Sequence, residues 1–102
     1  MGAGRNQSEL LNNKKGNCMK YQEYKIDFLR YVQNGSVRSD CADITFTNNG
    51  TTTITLNGGF QLTPGNSLQL SANNGEIDTT IYYFSFSGAG TNSLTVFRKI
   101  YV

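Results

Sequence analysis

Two of the seven carboxylates in this chain stand two positions apart, Glu76 and Asp78 in the run "GEID". On a strand that spacing places both side chains on one face, as a glycosidase acid/base pair or part of a calcium site would need. They follow "SANNG", however, at a turn where acidic side chains are ordinarily solvated, and a calcium loop needs more oxygen ligands at set spacing. The rest of the catalytic inventory is thin. There is no His, which removes Ser-His, Cys-His and His-metal arrangements together. Cys18 and Cys41 lack the spacing of a zinc pair, and two cysteines in a reducing compartment are expected to be free thiols. "SGAGTNS" (87–93) looks like a fragment of a phosphate-binding loop, but no Lys follows and no helical pattern comes next. It reads as a hairpin loop. No catalytic residue, cofactor or metal site is expected, and the chain is read as a non-enzyme.

Binding chemistry has more material. Tyr82, Tyr83 or Tyr101 could form a stacking platform for a carbohydrate, although the alternation of Tyr82, Phe84 and Phe86 is that of a core face. Direct nucleic-acid binding is not expected. Single-strand binders join surface aromatics to a positively charged groove, and here the charge is elsewhere. Residues 1–42 hold seven basic and four acidic residues, a balance of +3; residues 43–102 hold two and three, a balance of −1; the sum is the net +2. No Lys or Arg occurs between Arg38 and Arg98.

The elements that would position these groups are strands. "DITFTN" alternates with Ile44 and Phe46 on one face, and "TTTITL" returns with Ile54 and Leu56. "FQL" presents Phe60 and Leu62, and "SLQLSA" presents Leu68 and Leu70. "TTIYYFSFS" presents Tyr82, Phe84 and Phe86, and "SLTVFRKIYV" presents Leu94, Val96, Ile100 and Val102. Between them stand turn signals: "NNG", "NGG", "TPGN", "NNGE" and "GAGTN". "KYQEYKIDFLRYV" (20–32) fits a helix through Tyr21, Tyr24, Phe28 and Tyr31, or a strand through Tyr24, Ile26, Phe28 and Val32. Asn34-Gly35 just beyond it is a strong hairpin signal and favours the strand. Residues 1–19 are poor in apolar side chains and read as an extended arm that orders only on docking. The expectation is an all-β chain: an antiparallel β-sandwich, Ig-like or jelly-roll-like, of about seven or eight short strands over residues 20–102, preceded by an N-terminal arm. No secretory signal is expected, because "MGAGRNQSELLNNKKGNC" has no apolar central run. No segment approaches the length of apolar chain that a membrane span requires.

Proteins that work alone usually intersperse charge over their surface and place Lys on exposed strand edges. The strands from 43 to 97 expose Thr, Ser, Asn and Gln instead, and only the last strand, with Arg98 and Lys99, carries such protection. Faces of that kind suit a subunit covered by copies of itself or by a larger platform.

The run from Ile44 to Tyr101, about sixty residues, resembles small β-rich structural proteins of tailed bacteriophage virions, particularly phages of Bacteroidetes-type hosts. The resemblance rests on "NGGFQLTPGNSL" followed by "GEIDTTIY". It implies an auxiliary or decoration subunit of the capsid, or a neck or tail component, made in the host cytoplasm and carried in the virion. The implied partners are the major capsid protein or other virion proteins, and the implied state is a homo-oligomer. In that setting Lys14, Lys15 and Lys20 would meet acidic residues of the shell, with Tyr21 and Tyr24 as aromatic anchors. A small carbohydrate-binding β-sandwich is the reading from a different class.

Overall fold

The computed structural model describes residues 22–102. They form eight strands: β1 (Tyr24–Tyr31), β2 (Gly35–Arg38), β3 (Asp43–Asn48), β4 (Ile54–Leu56), β5 (Phe60–Leu62), β6 (Ser67–Ser71), β7 (Ile81–Phe86) and β8 (Leu94–Tyr101). No helix occurs among the described residues, so the ambiguous segment before Val32 is a strand. Two four-stranded sheets result, ordered β1-β8-β3-β6 and β2-β7-β4-β5, with every pairing antiparallel.

The pairings are nested. The first strand pairs the last (β1–β8), then β2 pairs β7, β3 pairs β6 and β4 pairs β5. The remaining pairs, β3–β8 and β4–β7, close each sheet. One long hairpin wrapped onto itself produces this order, which is the jelly roll. Consecutive strands therefore lie in opposite sheets everywhere except at β4–β5.

That wrapping overturns two hairpin readings. Asn34-Gly35 joins strands of different sheets, and neither residue takes a positive φ. Asn34 acts at the corner through its side chain, whose Oδ1 accepts the Phe86 N–H at 2.8 Å. The "SGAGTNS" loop likewise crosses between sheets, from β7 to β8. The true hairpin is at Asn57-Gly58, where φ is +48° and +70° and the left-handed region is required.

The core lies between the sheets, and the alternation predicts its membership well. Ile44, Phe46, Ile54, Leu56, Leu62, Tyr82, Phe84, Leu94 and Val96 are all buried. Leu29 and Tyr31 join from β1, and Phe46 meets Tyr82 edge-on with ring centroids 5.1 Å apart. Phe60 and Val102 end up exposed, because each lies at the end of its strand where the opposite sheet no longer covers it.

Two polar side chains, Ser39 and Asn48, are wholly inside. Asn48 Nδ2 donates to Thr52 O at 2.7 Å and Leu62 O at 2.9 Å, and its Oδ1 accepts from Gly50 N at 3.0 Å. Its backbone also bonds Asn66 and Gly65. A single amide thus ties the β3–β4 and β5–β6 crossings together. At the same end, Thr51 N donates to Thr91 O and Asn49 N to Ser93 O, so that the loops before β4 and before β8 mesh.

Candidate functional site

Register fixes what each outer face presents. On the β1-β8-β3-β6 sheet, three rows face away from the core: Ile26, Lys99, Asp43 and Ser71; then Phe28, Phe97, Thr45 and Gln69; then Arg30, Thr95, Thr47 and Ser67. Tyr24 and Tyr101 stand beside one another at one end. The half of the face over β1 and β8 is therefore mainly apolar and aromatic, with Lys99 and Arg30 among its rings, and the half over β3 and β6 is polar, with Asp43 its one charge.

The apolar half is open to solvent. Tyr24 is 54% exposed, Ile26 47% and Phe28 65%. Phe28 rests edge-on against Phe97 at 4.9 Å between centroids, and Lys99 Nζ lies 4.7 Å from the centroid of the Tyr24 ring. Between these groups and Thr45 is a depression of about 220 Å³. That is below the roughly 300–1,000 Å³ of pockets that enclose small ligands, so the feature is a contact surface rather than a cavity. A contiguous exposed apolar patch with a polar rim is the usual mark of an interaction site.

The opposite sheet offers no counterpart. Its outer face carries Arg38, Ile81, Ser36, Tyr83, Asn57, Ser85, Thr55 and Gln61, with Tyr83 the one aromatic ring and Ile81 the one aliphatic side chain in these rows.

The patch stands on a braced support. Asp27 and Arg98 share the core side of β1 and β8, opposite one another in register. Arg98 Nε donates to Asp27 Oδ2 at 3.0 Å and Nη2 meets the same oxygen, while Nη1 donates to the carbonyls of Arg38 at 2.7 Å and Ser39 at 3.3 Å. This corrects the reading of Arg98 as edge protection. β8 is an inner strand, and Arg98 points inward to hold the first sheet to the end of β2.

The groups that suggested chemistry are used structurally. Asp78 is not merely solvated: its Oδ2 accepts from Tyr82 Oη at 2.6 Å and its Oδ1 from Thr80 N at 2.8 Å. Its backbone pairs with that of Cys41, and Ser39 Oγ donates to Asp78 O at 2.7 Å. Burial alone would raise the Asp78 carboxyl, but the hydrogen bonds from Thr80 and Tyr82 outweigh it and lower its pKa. Tyr82 is pushed up to about 12, by burial first and then by donating to Asp78. Cys41, fully buried and free, is pushed up to about 11 by burial, against a partial pull from Arg98. A thiol so protonated is not a nucleophile at neutral pH. Glu76 Oε1 accepts from Asn73 N at 3.0 Å and closes its own turn. Among the described residues no three His, Cys, Asp or Glu side chains cluster as metal ligands would.

Of the residues expected at an interface, Tyr24 lies on this face; Lys14, Lys15, Lys20 and Tyr21 fall outside the described residues. The three alternative stacking rings lie apart. Tyr82 is buried, Tyr83 is on the opposite sheet and Tyr101 is half-buried at the end of β8. Ile26, Phe28 and Phe97 escape a reading of the sequence for interface residues, although the apolar alternation through 24, 26 and 28 is a signal for the first two. Comparison with known protein families and with curated proteins finds no match.

Proposed function

We propose that this protein is a non-enzymatic structural subunit of a virion, an auxiliary or decoration protein that docks on the major capsid protein through the outer face of the β1-β8-β3-β6 sheet. The observation that carries the docking role is the exposed apolar column of Tyr24, Ile26 and Phe28 against Phe97, on a face whose remaining positions are largely uncharged. The particle setting comes from the resemblance of residues 44–101 to phage structural proteins. A neck or tail position would use the same face on a different virion protein. Synthesis in the host cytoplasm and residence in the virion belong to the same reading.

Aromatic rings desolvated inside a polar rim dominate binding energy at such interfaces. Placing a carboxylate at Phe28 should therefore weaken attachment by at least about tenfold, or about 1.4 kcal/mol. The test is co-sedimentation of purified full-length protein with particles stripped of it. Wild-type protein and Tyr83→Asp, altered on the opposite sheet, should pellet with the particles, and Phe28→Asp should not. Equal attachment of all three would overturn the docking role.

One observation favours the second reading, a carbohydrate-binding module: three exposed or half-exposed rings, Tyr24, Phe28 and Phe97, share a sheet face with Thr45 and Gln69. It ranks lower because Lys99 covers the Tyr24 ring and Phe28 packs on Phe97, leaving little flat ring surface for a sugar. Glycan-array binding that is lost in Phe28→Asp would put it first.

A further inference from the structure

β1 is an edge strand, eight residues long with no Pro, no Gly and no bulge in its register. Native edges are ordinarily shortened, bulged, covered or charged, because unpaired N–H and C=O groups invite another strand; β1 is neither short nor bulged, and its charges, Lys25, Asp27 and Arg30, are of both signs. The direction of those groups follows from one bond. Val102 N donates to Glu23 O at 3.0 Å, and Glu23 lies opposite Val102 in the β1–β8 register. In an antiparallel ladder the hydrogen-bonded pairs alternate, so odd-numbered residues of β1 bond to β8. The backbones of Tyr24, Ile26, Phe28 and Arg30 point to the free edge. Among the described residues no backbone–backbone hydrogen bond from another segment reaches these four. The same four residues carry their side chains on the exposed apolar face.

We propose that this edge pairs antiparallel with the same edge of a second copy, about a two-fold axis at Ile26, joining the two first sheets into one eight-stranded sheet. The inference rests on the reading of the protein as an assembly subunit and names one of its partners. Charge selects the register. Only even-numbered residues can face even-numbered residues across the axis, and at least five residues of β1 then overlap for the four centres from Ile26 to Leu29. Centring on Leu29 sets Phe28 against Arg30 and Asp27 against Tyr31 of the second copy. Centring on Asp27 sets two Asp27 carboxylates opposite one another. Centring on Phe28 sets Ile26 against Arg30 of the second copy and Lys25 against Tyr31. Centring on Ile26 sets Lys25 against Asp27 of the second copy, twice by symmetry. It also sets Tyr24 against Phe28 twice and Ile26 against Ile26. Opposite charges and aromatic or aliphatic pairs directly across a ladder are the stabilising combinations, and an isologous interface must satisfy them in duplicate. The outcome is a single apolar stripe running across both copies, formed from Tyr24, Ile26 and Phe28 of each.

Amide hydrogen exchange of the full-length chain, followed by NMR at concentrations above and below a dimer transition located by light scattering, tests this directly. In the dimer the amides of Tyr24, Ile26 and Phe28 should exchange at least about tenfold more slowly than in the monomer, because pairing protects them. The amides of Leu29 and Tyr31, bonded to β8, should stay slow in both. Lys25→Glu, which sets like charges against Asp27, should weaken the dimer by about tenfold, and Thr45→Lys, in the middle of the outer face, should leave it intact. Three results would overturn the proposal: a monomer at all concentrations, a dimer in which the amides of Tyr24, Ile26 and Phe28 remain fast, or a monomer in which they are already slow, which would mean the chain's own N-terminal segment covers the edge. Particle co-sedimentation is read separately. A monomer that still binds particles removes the pairing and leaves the docking role standing.

Discussion

Replacing Asn48 by Ala should be among the most damaging single changes in this domain. The side chain is 1% exposed and makes three hydrogen bonds, two donated to the carbonyls of Thr52 and Leu62 and one accepted from Gly50 N. Alanine leaves both carbonyls without their partner inside a packed corner, and each buried group so orphaned costs about 1–3 kcal/mol. Gly50 N is nearer solvent and adds less. The expected loss is about 4 kcal/mol, against a total of roughly 5–15 kcal/mol for a domain of this size. At about 4–8 °C per kcal/mol the midpoint of thermal unfolding should fall by roughly 16–32 °C. The chain has no Trp, so urea unfolding is best followed by far-UV circular dichroism, with the slope against urea unchanged between variants. Asn48→Asp should be worse near pH 7, where a carboxylate would face two carbonyls. It should recover partly toward about pH 4, because a protonated carboxyl can again donate. A loss below about 1 kcal/mol in Asn48→Ala would refute the idea that this amide organises the corner.

Two further outcomes rest on the same geometry. Cys41 and Tyr82 are raised from 9.0 to about 11 and from 10.0 to about 12, so their stabilising contribution is complete below pH 9 and is lost as pH rises through roughly 9–12. Each shift is worth on the order of 2 kcal/mol; the urea midpoint should drop between about pH 8 and pH 11, and a flat profile would contradict it. Gly50→Ala should cost about 3 kcal/mol or more, because a Cβ there would lie 2.2 Å from Thr91 O, while Gly59→Ala, with nothing within 4 Å, should change stability by less than about 1 kcal/mol in either direction. Equal thermal midpoints for the two glycine variants would rule that steric argument out.

Strand positions and core faces were legible in the sequence because burial enforces period-two alternation, as at Ile44 and Phe46 or Tyr82 and Phe84. The partner of each strand was not. Asn-Gly occurs four times, at 34, 49, 57 and 74, and only Asn57-Gly58 makes a hairpin. Local turn chemistry is the same whether a chain doubles back within a sheet or crosses to the other one; nested long-range pairing decides, and no short window contains it. The outer face was hidden for a related reason. Tyr24, Ile26 and Phe28 alternate as core residues do, and only the partnership of β1 with β8 shows that Leu29 and Tyr31 hold the inward side. Arg98 could not be assigned either, since its inward direction depends on β8 lying between β1 and β3.

The nested pairing also has a consequence for how the molecule is made. Of the described strands β1 leaves the ribosome first, and its only strand partner in the fold is β8, the last. β2 must likewise wait for β7. Until translation reaches Ile81 only the innermost β4–β5 hairpin and β3–β6 have their partners in hand; β7 then serves β2 and β4, and the β1–β8 and β3–β8 pairs wait for Leu94, so the sandwich closes from its middle outward and late. During that interval the apolar β1 segment has neither β8 on one side nor any cover on the other, and its lifetime is set by the time needed to synthesise the remaining seventy or so residues.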